Sequence, residues 1–385
     1  MMRRILPSQA PALVLISRAA FLLAVPALLV TGVIGGLLRA GVAVPLPSNR
    51  AWPGQAVLAH AFLMICGFLG TVIGIERAVA IKARFAFAFA APVISALAGV
   101  SMLAGGPVAA KWLAVTASAA FIAVNGMVVA RQPAAHTVLL VAAALAWFVG
   151  NLLFALGYAT AAVVPWWLSF LVLTIAAERL EMTRLMRRRR GATLSLYACL
   201  GVLIIGSMLF TVSPANGGLV YGLGLCGLSI WLARYDIARR TVASHGLSRY
   251  MAVCLLLGYA WLAVSGVAWM ATSLGYAARD IALHALGLGF IFSMMLAHAP
   301  VILPALTRVK LLFGWFFYVP LSLLHMSLAV RLVFGSTSSS LLRAGAAGNA
   351  GAIAVFAATL LGSAAAWRVK HSISAKERNA VPGSH

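Results

Sequence analysis

Apolar positions along this chain follow neither the two-residue period of a half-buried strand nor the 3.6-residue stripe of a surface helix. They come in runs long enough to cross a bilayer, separated by short polar or basic connections. The runs predict twelve helices, at 17–39, 55–78, 86–107, 109–130, 135–158, 161–181, 193–213, 217–234, 249–273, 280–306, 311–334 and 343–367. Nothing is left over for a soluble domain, so 1–385 reads as a single all-α, polytopic transmembrane domain with a basic tail at 369–385. The first run is too long for the core of a signal peptide and has no obvious cleavage site after it, so it counts as a span.

Composition sharpens this picture. With 63% hydrophobic and 9% charged residues, the chain is far from the roughly 25% charged residues of a soluble domain, which excludes a cytosolic enzyme. The net charge of +23 looks at first like a nucleic-acid footprint. With the N-terminus placed in the cytoplasm, however, 23 of the 29 Lys and Arg fall on the cytoplasmic side and six fall outside. Such a bias orients membrane proteins, and one span too many or too few would erase it. The positive charge therefore reads as topogenic, with added attraction to anionic headgroups. It predicts a multi-pass protein of the bacterial inner (cytoplasmic) membrane, both termini cytoplasmic, with the lipid bilayer as partner and no nucleic acid. The run MRRRRG at 186–191 is an orientation signal on this reading.

Polar side chains at membrane depth are costly and so mark candidate sites. The six acids avoid the bilayer centre: Glu76, Glu178, Glu181 and Asp236 sit at cytoplasmic helix ends, Asp280 opens the tenth span, and Glu377 is in the tail. That argues against an ion-coupled transporter, which usually buries an acid along its pathway. The pairs Glu76-Arg77 and Glu178-Arg179 read as cytoplasmic salt bridges locking loops to helices. Cys66, Cys199, Cys226 and Cys254 fall inside spans with no paired motif and read as small buried apolar residues. No CxxC, CxxCH, Walker or GxGxxG-plus-acid pattern occurs, which excludes covalent c-type haem and nucleotide hydrolysis.

The histidines are more informative. His136, His245, His371 and His385 are expected to be solvated, near helix ends or in loops and tail. His60 and His284 come a few residues after the starts of spans two and ten, which both run inward. At 1.5 Å per residue they share a depth of roughly 6–8 Å below the outer boundary. Glycines follow each: Gly67, Gly70 and Gly74 after His60, and Gly287 and Gly289 after His284. Small residues beside an axial histidine leave room for a flat macrocycle, and they equally allow close helix packing. Two neutral imidazoles at one depth suit bis-His haem ligation or part of a copper site; the competing reading is two unrelated hydrogen-bonded side chains. His325, in the outer half of span eleven, is a third candidate: a metal ligand, a haem contact or a structural hydrogen bond. His298 lies near the face of His284, roughly 21 Å further along the helix, where no second histidine waits to pair with it. It reads as a polar partner for carbonyls freed by Pro300 and Pro304.

These residues carry a resemblance. The segment His60-Ala61-Phe62-Leu63-Met64-Ile65-Cys66-Gly67-Phe68 resembles the span-two motif of NnrS-type membrane proteins, haem- and copper-containing proteins of the nitric oxide response. That motif reads His-Ala-His-Glu-Met followed by Gly-Phe; here Phe62 and Leu63 replace its second His and its Glu. SRAAFLLAVPAL resembles the family's opening, and HALGLGFIFSMMLAH, from His284 to His298, resembles its late span. The twelve-helix plan is also similar to the main subunit of haem–copper oxidases, whose low-spin haem is held by histidines on helices two and ten toward the outer face. Spans six and seven here carry no His, and Leu286 stands where a second span-ten His would be, so dioxygen reduction is not implied.

The resemblance implies haem b on His60 and His284, with His325, Gly67 and Gly287 as further cofactor-site residues. It implies copper as a second metal, although two plausible copper ligands are replaced. The function expected is a haem-binding protein of the nitric oxide or nitrosative stress response or of denitrification, with a redox partner or nitric oxide as its other partner. A twelve-helix secondary transporter and an assembly or scaffold factor for a respiratory complex are the alternatives.

Overall fold

The structure is a computed structural model that describes residues 10–46, 51–81, 86–182 and 191–380. Lys82, Arg84, the basic run at 186–190 and His385 lie outside the described residues, as do the first nine. The described chain is helical throughout: α1 (Ala10–Arg39), α2 (Trp52–Leu58), α3 (His60–Ala80), α4 (Ala90–Leu103), α5 (Pro107–Arg131), α6 (Ala135–Ala155), α7 (Thr160–Met182), α8 (Ala192–Val212), α9 (Pro214–Tyr235), α10 (Gly246–Ser273), α11 (Arg279–Ala305), α12 (Trp315–Phe334) and α13 (Ser339–Ala380). In a bilayer no water is available to unpaired N–H and C=O groups, so a helix that bonds its own backbone is the form such runs must take. Among the described residues, ten helices are long and apolar enough to cross a membrane, joined by two shorter apolar ones at Leu23–Arg39 and Ala90–Leu103. The chain is a polytopic all-α membrane protein.

Element boundaries follow local chemistry. Pro107 and Pro214 open α5 and α9, where a missing N–H costs nothing. α4 stops because Gly105 takes φ +82°, a left-handed turn that lets Gly106 N–H close on the Ser101 carbonyl. The run expected from 311 begins as helix only at Trp315. Residues before it are tied to α13 instead: Leu312 N–H donates to the Ser363 carbonyl (3.3 Å), and the Ser363 hydroxyl donates to the Leu312 carbonyl (2.7 Å).

The core centres on α7, whose apolar window is 78% buried. Phe170 stacks on Trp147 of α6 with centroids 4.8 Å apart, and Phe121 of α5 meets both rings edge-on. A polar knot sits beside this cluster. Asn151 Oδ1 accepts from Trp167 Nε1 (2.9 Å) and from the Cys66 thiol (3.3 Å), while its Nδ2 donates to the Ala114 carbonyl (3.0 Å). Every strong donor and acceptor of Asn151 is used, which makes it a register pin between α3, α5, α6 and α7. Asn151→Leu leaves the Trp167 N–H without its acceptor and is expected to cost about 1–3 kcal/mol, readable as a lowered thermal midpoint in detergent. An unchanged midpoint would refute that role.

Candidate functional site

One cavity is bounded by α1, α3, α7, α11, α12 and α13. It holds about 1040 Å³ of empty space, counting its open mouth, and its walls are almost wholly apolar. α7 supplies a back wall of Val164, Leu168 and Leu171. His60 and His284 both line it, from α3 and α11.

Each histidine has one ring nitrogen tied down. His60 Nδ1 lies 2.8 Å from the Gly32 carbonyl of α1, and His284 Nδ1 lies 2.9 Å from the Asp280 carboxylate and 3.1 Å from the Asp280 backbone carbonyl, one turn earlier on α11. A carbonyl only accepts, so His60 carries a proton on Nδ1; the acceptors of Asp280 likewise call for a proton on His284 Nδ1. Neither Nε2 has a hydrogen-bond partner among the described residues. The two imidazoles thus bring to one cavity two Nε2 atoms without a protein partner, the atoms by which a metal takes histidine.

The backbone is unusual at the same two places. α2 and α3 are separated by a break at Ala59 (φ −100°, ψ 15°), directly before His60, and a π-helical stretch follows at Leu63–Leu69. His284 is followed at once by a second π-helical stretch, Ala285–Phe292. Such bulges insert a residue into the helical ladder, re-aim the side chains and recur at functional sites. Here both lie on the cavity wall: Ile65 and Phe68 from one, Gly287, Leu288, Ile291 and Phe292 from the other.

The other expected site residues separate into two groups. Gly287 lines the cavity, and a Cβ built on it would meet no atom within 4 Å. Gly67 does not line it: its Cβ direction points at Gly99 Cα (3.5 Å) and Leu28, so it serves α1–α3–α4 packing. His325 is likewise not on the cavity wall. Its Nδ1 accepts from Trp261 Nε1 (2.8 Å) and its Nε2 faces the Ser293 hydroxyl (3.4 Å), so both nitrogens are spoken for.

Three expectations about polar residues are corrected. His136 is not solvated: it is 5% exposed, with Glu181 3.8 Å away. The two Glu-Arg pairs do not fasten loops to their own helices. Arg77 of α3 donates to Glu178 of α7 (2.9 Å), with Glu76 at 3.5 Å, and Arg179 turns instead to His298 Nε2 (2.8 Å). His298 Nδ1 meets the Met294 carbonyl (2.7 Å), so the group it serves is Arg179 and not a carbonyl released by Pro300 or Pro304. Asp236 joins this far end of the bundle, 2% exposed, its Oδ1 accepting from Ala238 N–H at 2.8 Å. Burial pushes the Asp236 carboxyl above the ordinary carboxylate range, and the Arg179 charge pulls it part of the way back.

Sequence reasoning missed two partners. Asp280 was read only as a charge at a helix start, yet its four-residue spacing from His284 was a visible signal. Arg331 grips Asp280 bidentately, Nε to Oδ2 at 3.0 Å and Nη2 to Oδ1 at 2.8 Å, across 51 positions of chain that no local pattern spans.

No curated protein and no solved structure matches this chain. Residues 18–365 do match one family model, so the chain belongs to the family described as "Domain of unknown function (DUF8744)".

Proposed function

We propose that the chain binds one haem b in the cavity between α3 and α11, with His60 and His284 as its axial ligands, and that it works in electron transfer or in the response to nitric oxide. The observation that carries this reading is the pair of imidazoles on one apolar cavity, each fixed through Nδ1 and bare at Nε2. The chemistry of the walls agrees: apart from the two histidines they are largely aliphatic and aromatic, as small-molecule sites are. The open direction at Gly287 leaves further room on the wall of the same cavity. Bound there, haem would supply one-electron redox chemistry tuned by its axial ligands. The chain's own task is to hold two neutral imidazoles, exclude water with the α7 wall and keep both ring protons on Nδ1.

The three segments resembling NnrS-type proteins favour the nitric oxide side of this reading. The placement of the two ligands on the second and tenth of twelve spans is similar to the haem–copper oxidase subunit. The twelve spans count Leu23–Arg39 and Ala90–Leu103 with the ten longer helices. The Lys and Arg bias places both ends in the cytoplasm of a bacterial cell and the histidines toward the outer face. Copper fits less well: among the described residues no three His, Cys, Asp or Glu gather to hold a metal, and His325 is hydrogen-bonded away from the cavity.

The test is a reduced-minus-oxidised spectrum with haem and metal analysis on purified protein. Wild type should carry about one haem per chain with a six-coordinate, low-spin spectrum. His60→Ala and His284→Ala should each abolish that six-coordinate form. His325→Phe should keep it, while costing about 1–3 kcal/mol of stability for the stranded Trp261 N–H. A wild type without a Soret band from haem-replete cells would sink the proposal.

A second reading has one observation in its favour. The Arg77–Glu178 and Arg179–His298 contacts close the bundle at the opposite end from the histidine pair, as a gate in a transporter would. Gradient-driven uptake by haem-free proteoliposomes would favour it.

A further inference from the structure

The two histidines are held in unequal ways, and the inequality bears on what the site does. His284 is anchored by a relay. Its Nδ1–H faces Asp280, 2.9 Å from the carboxylate and 3.1 Å from the backbone carbonyl; Asp280 is clamped by Arg331 through Nε and Nη2, and Arg331 is 9% exposed. α13 packs so tightly over this arginine that a Cβ on Gly345 would lie 2.6 Å from Arg331 Cβ. Three helices, α11, α12 and α13, therefore share in fixing one imidazole. An acceptor carrying full charge makes a hydrogen bond roughly twice as strong as a neutral one. It also raises the donor power of the distant ring nitrogen, as carboxylate–histidine pairs do beside metals.

His60 has none of this. Its Nδ1–H meets a neutral backbone carbonyl, Gly32, on another helix. It follows the break at Ala59, whose N–H still bonds the Gln55 carbonyl and whose carbonyl still takes the Leu63 N–H, at 2.9 Å each. Gly36 faces the ring, and a Cβ there would come within 2.7 Å of His60 Cε1. The ring thus packs directly on a side-chain-free stretch of α1, and its one hydrogen bond there is to a neutral acceptor. The cavity surface next to it, Val33, Leu37, Ala61 and Met64, is apolar and suits an uncharged ligand.

We infer that His284 is the permanent axial ligand and His60 the exchangeable one, and that a small neutral diatomic molecule takes the place of His60 in this cavity. The inference rests on the haem reading and assigns each histidine a different part in it. In the exchange the dative bond from His60 Nε2 breaks and one from the incoming molecule forms. No electron is transferred, and His60 stays neutral with its proton toward Gly32. Asp280 and Arg331 are positioning residues that act through His284.

Carbon monoxide added to the dithionite-reduced, haem-loaded, full-length protein is the probe. Wild type should bind it slowly, at a rate set by release of His60. His60→Ala should keep its haem and bind the probe about 10–100-fold faster, while His284→Ala should hold haem about 10–100-fold more weakly. Asp280→Asn tests the relay without removing a ligand. Placed on the His60→Ala background, it should lower the iron–histidine stretching frequency. On the wild-type background it should favour the reduced form about tenfold at fixed potential, a rise of about 59 mV. Haem lost from His60→Ala but kept by His284→Ala would reverse the assignment and overturn the inference, as would an unmoved stretching frequency in Asp280→Asn. A wild type that binds no haem fails earlier and differently, since it removes the haem reading itself.

Discussion

Gly287→Leu is expected to leave the protein folded and about 10–100-fold weaker in holding haem. The position combines two properties no other glycine of the site shares. It lines the cavity, and nothing lies within 4 Å of the Cβ it lacks. Its φ is not in the left-handed region, so a side chain meets no backbone strain. Added carbons therefore enter empty space and collide only with what binds there. Overpacking of that kind costs about 1–3 kcal/mol, hence the predicted loss, because each 1.4 kcal/mol is tenfold. Gly67→Leu is the matched control with the opposite outcome. Gly99 Cα and Leu28 already fill that direction, so the substitution must part α3 from α4 and lower stability. The measurement is haem retention against thermal midpoint for the two variants. If Gly287→Leu binds haem as wild type does, the cavity is not the haem site; if Gly67→Leu is the one that keeps its midpoint, the packing argument is wrong.

The contrast between these two glycines also shows how far the sequence reaches. Hydrophobic runs found nearly every helix, because a bilayer allows long apolar segments hardly any other form. The shared depth of His60 and His284 singles them out as a pair, and both line one cavity. What lies around them was less visible. Which way a glycine points depends on helix rotation, and the π-helical stretches at Leu63–Leu69 and Ala285–Phe292 change that rotation without a sequence mark. His325, deeper than the other two, leaves a ligand and a structural hydrogen bond equally open; its ring is taken by Trp261, 64 residues away. Arg331 looked like one more basic residue at a helix end until Asp280 was seen in its grip. Pairings of this sort are set by tertiary contact and leave no period in the chain.

The same holds at the far end of the bundle, where the largest stability effect is expected. Arg77 is the cation between two carboxylates, Glu178 at 2.9 Å and Glu76 at 3.5 Å, with its own side chain 16% exposed and theirs 26% each. Arg77→Ala leaves two like charges facing each other in a half-buried space without their counter-ion. Removing one partner of a fully buried pair costs about 3–5 kcal/mol; the partial exposure here screens some of that, so a loss of roughly 2–4 kcal/mol is expected. The pair itself need not be worth so much, because both ions have also given up hydration to form it. Arg77→Met combined with Glu178→Gln removes the attraction and the stranded charge together. It should therefore recover most of the stability lost by Arg77→Ala, while Glu178→Gln alone should cost less than Arg77→Ala because Glu76 still faces the guanidinium. A thermal-midpoint cycle over the three variants checks this ordering. If the double variant is as damaged as Arg77→Ala, the cost lies in lost side-chain packing and not in the uncompensated carboxylates.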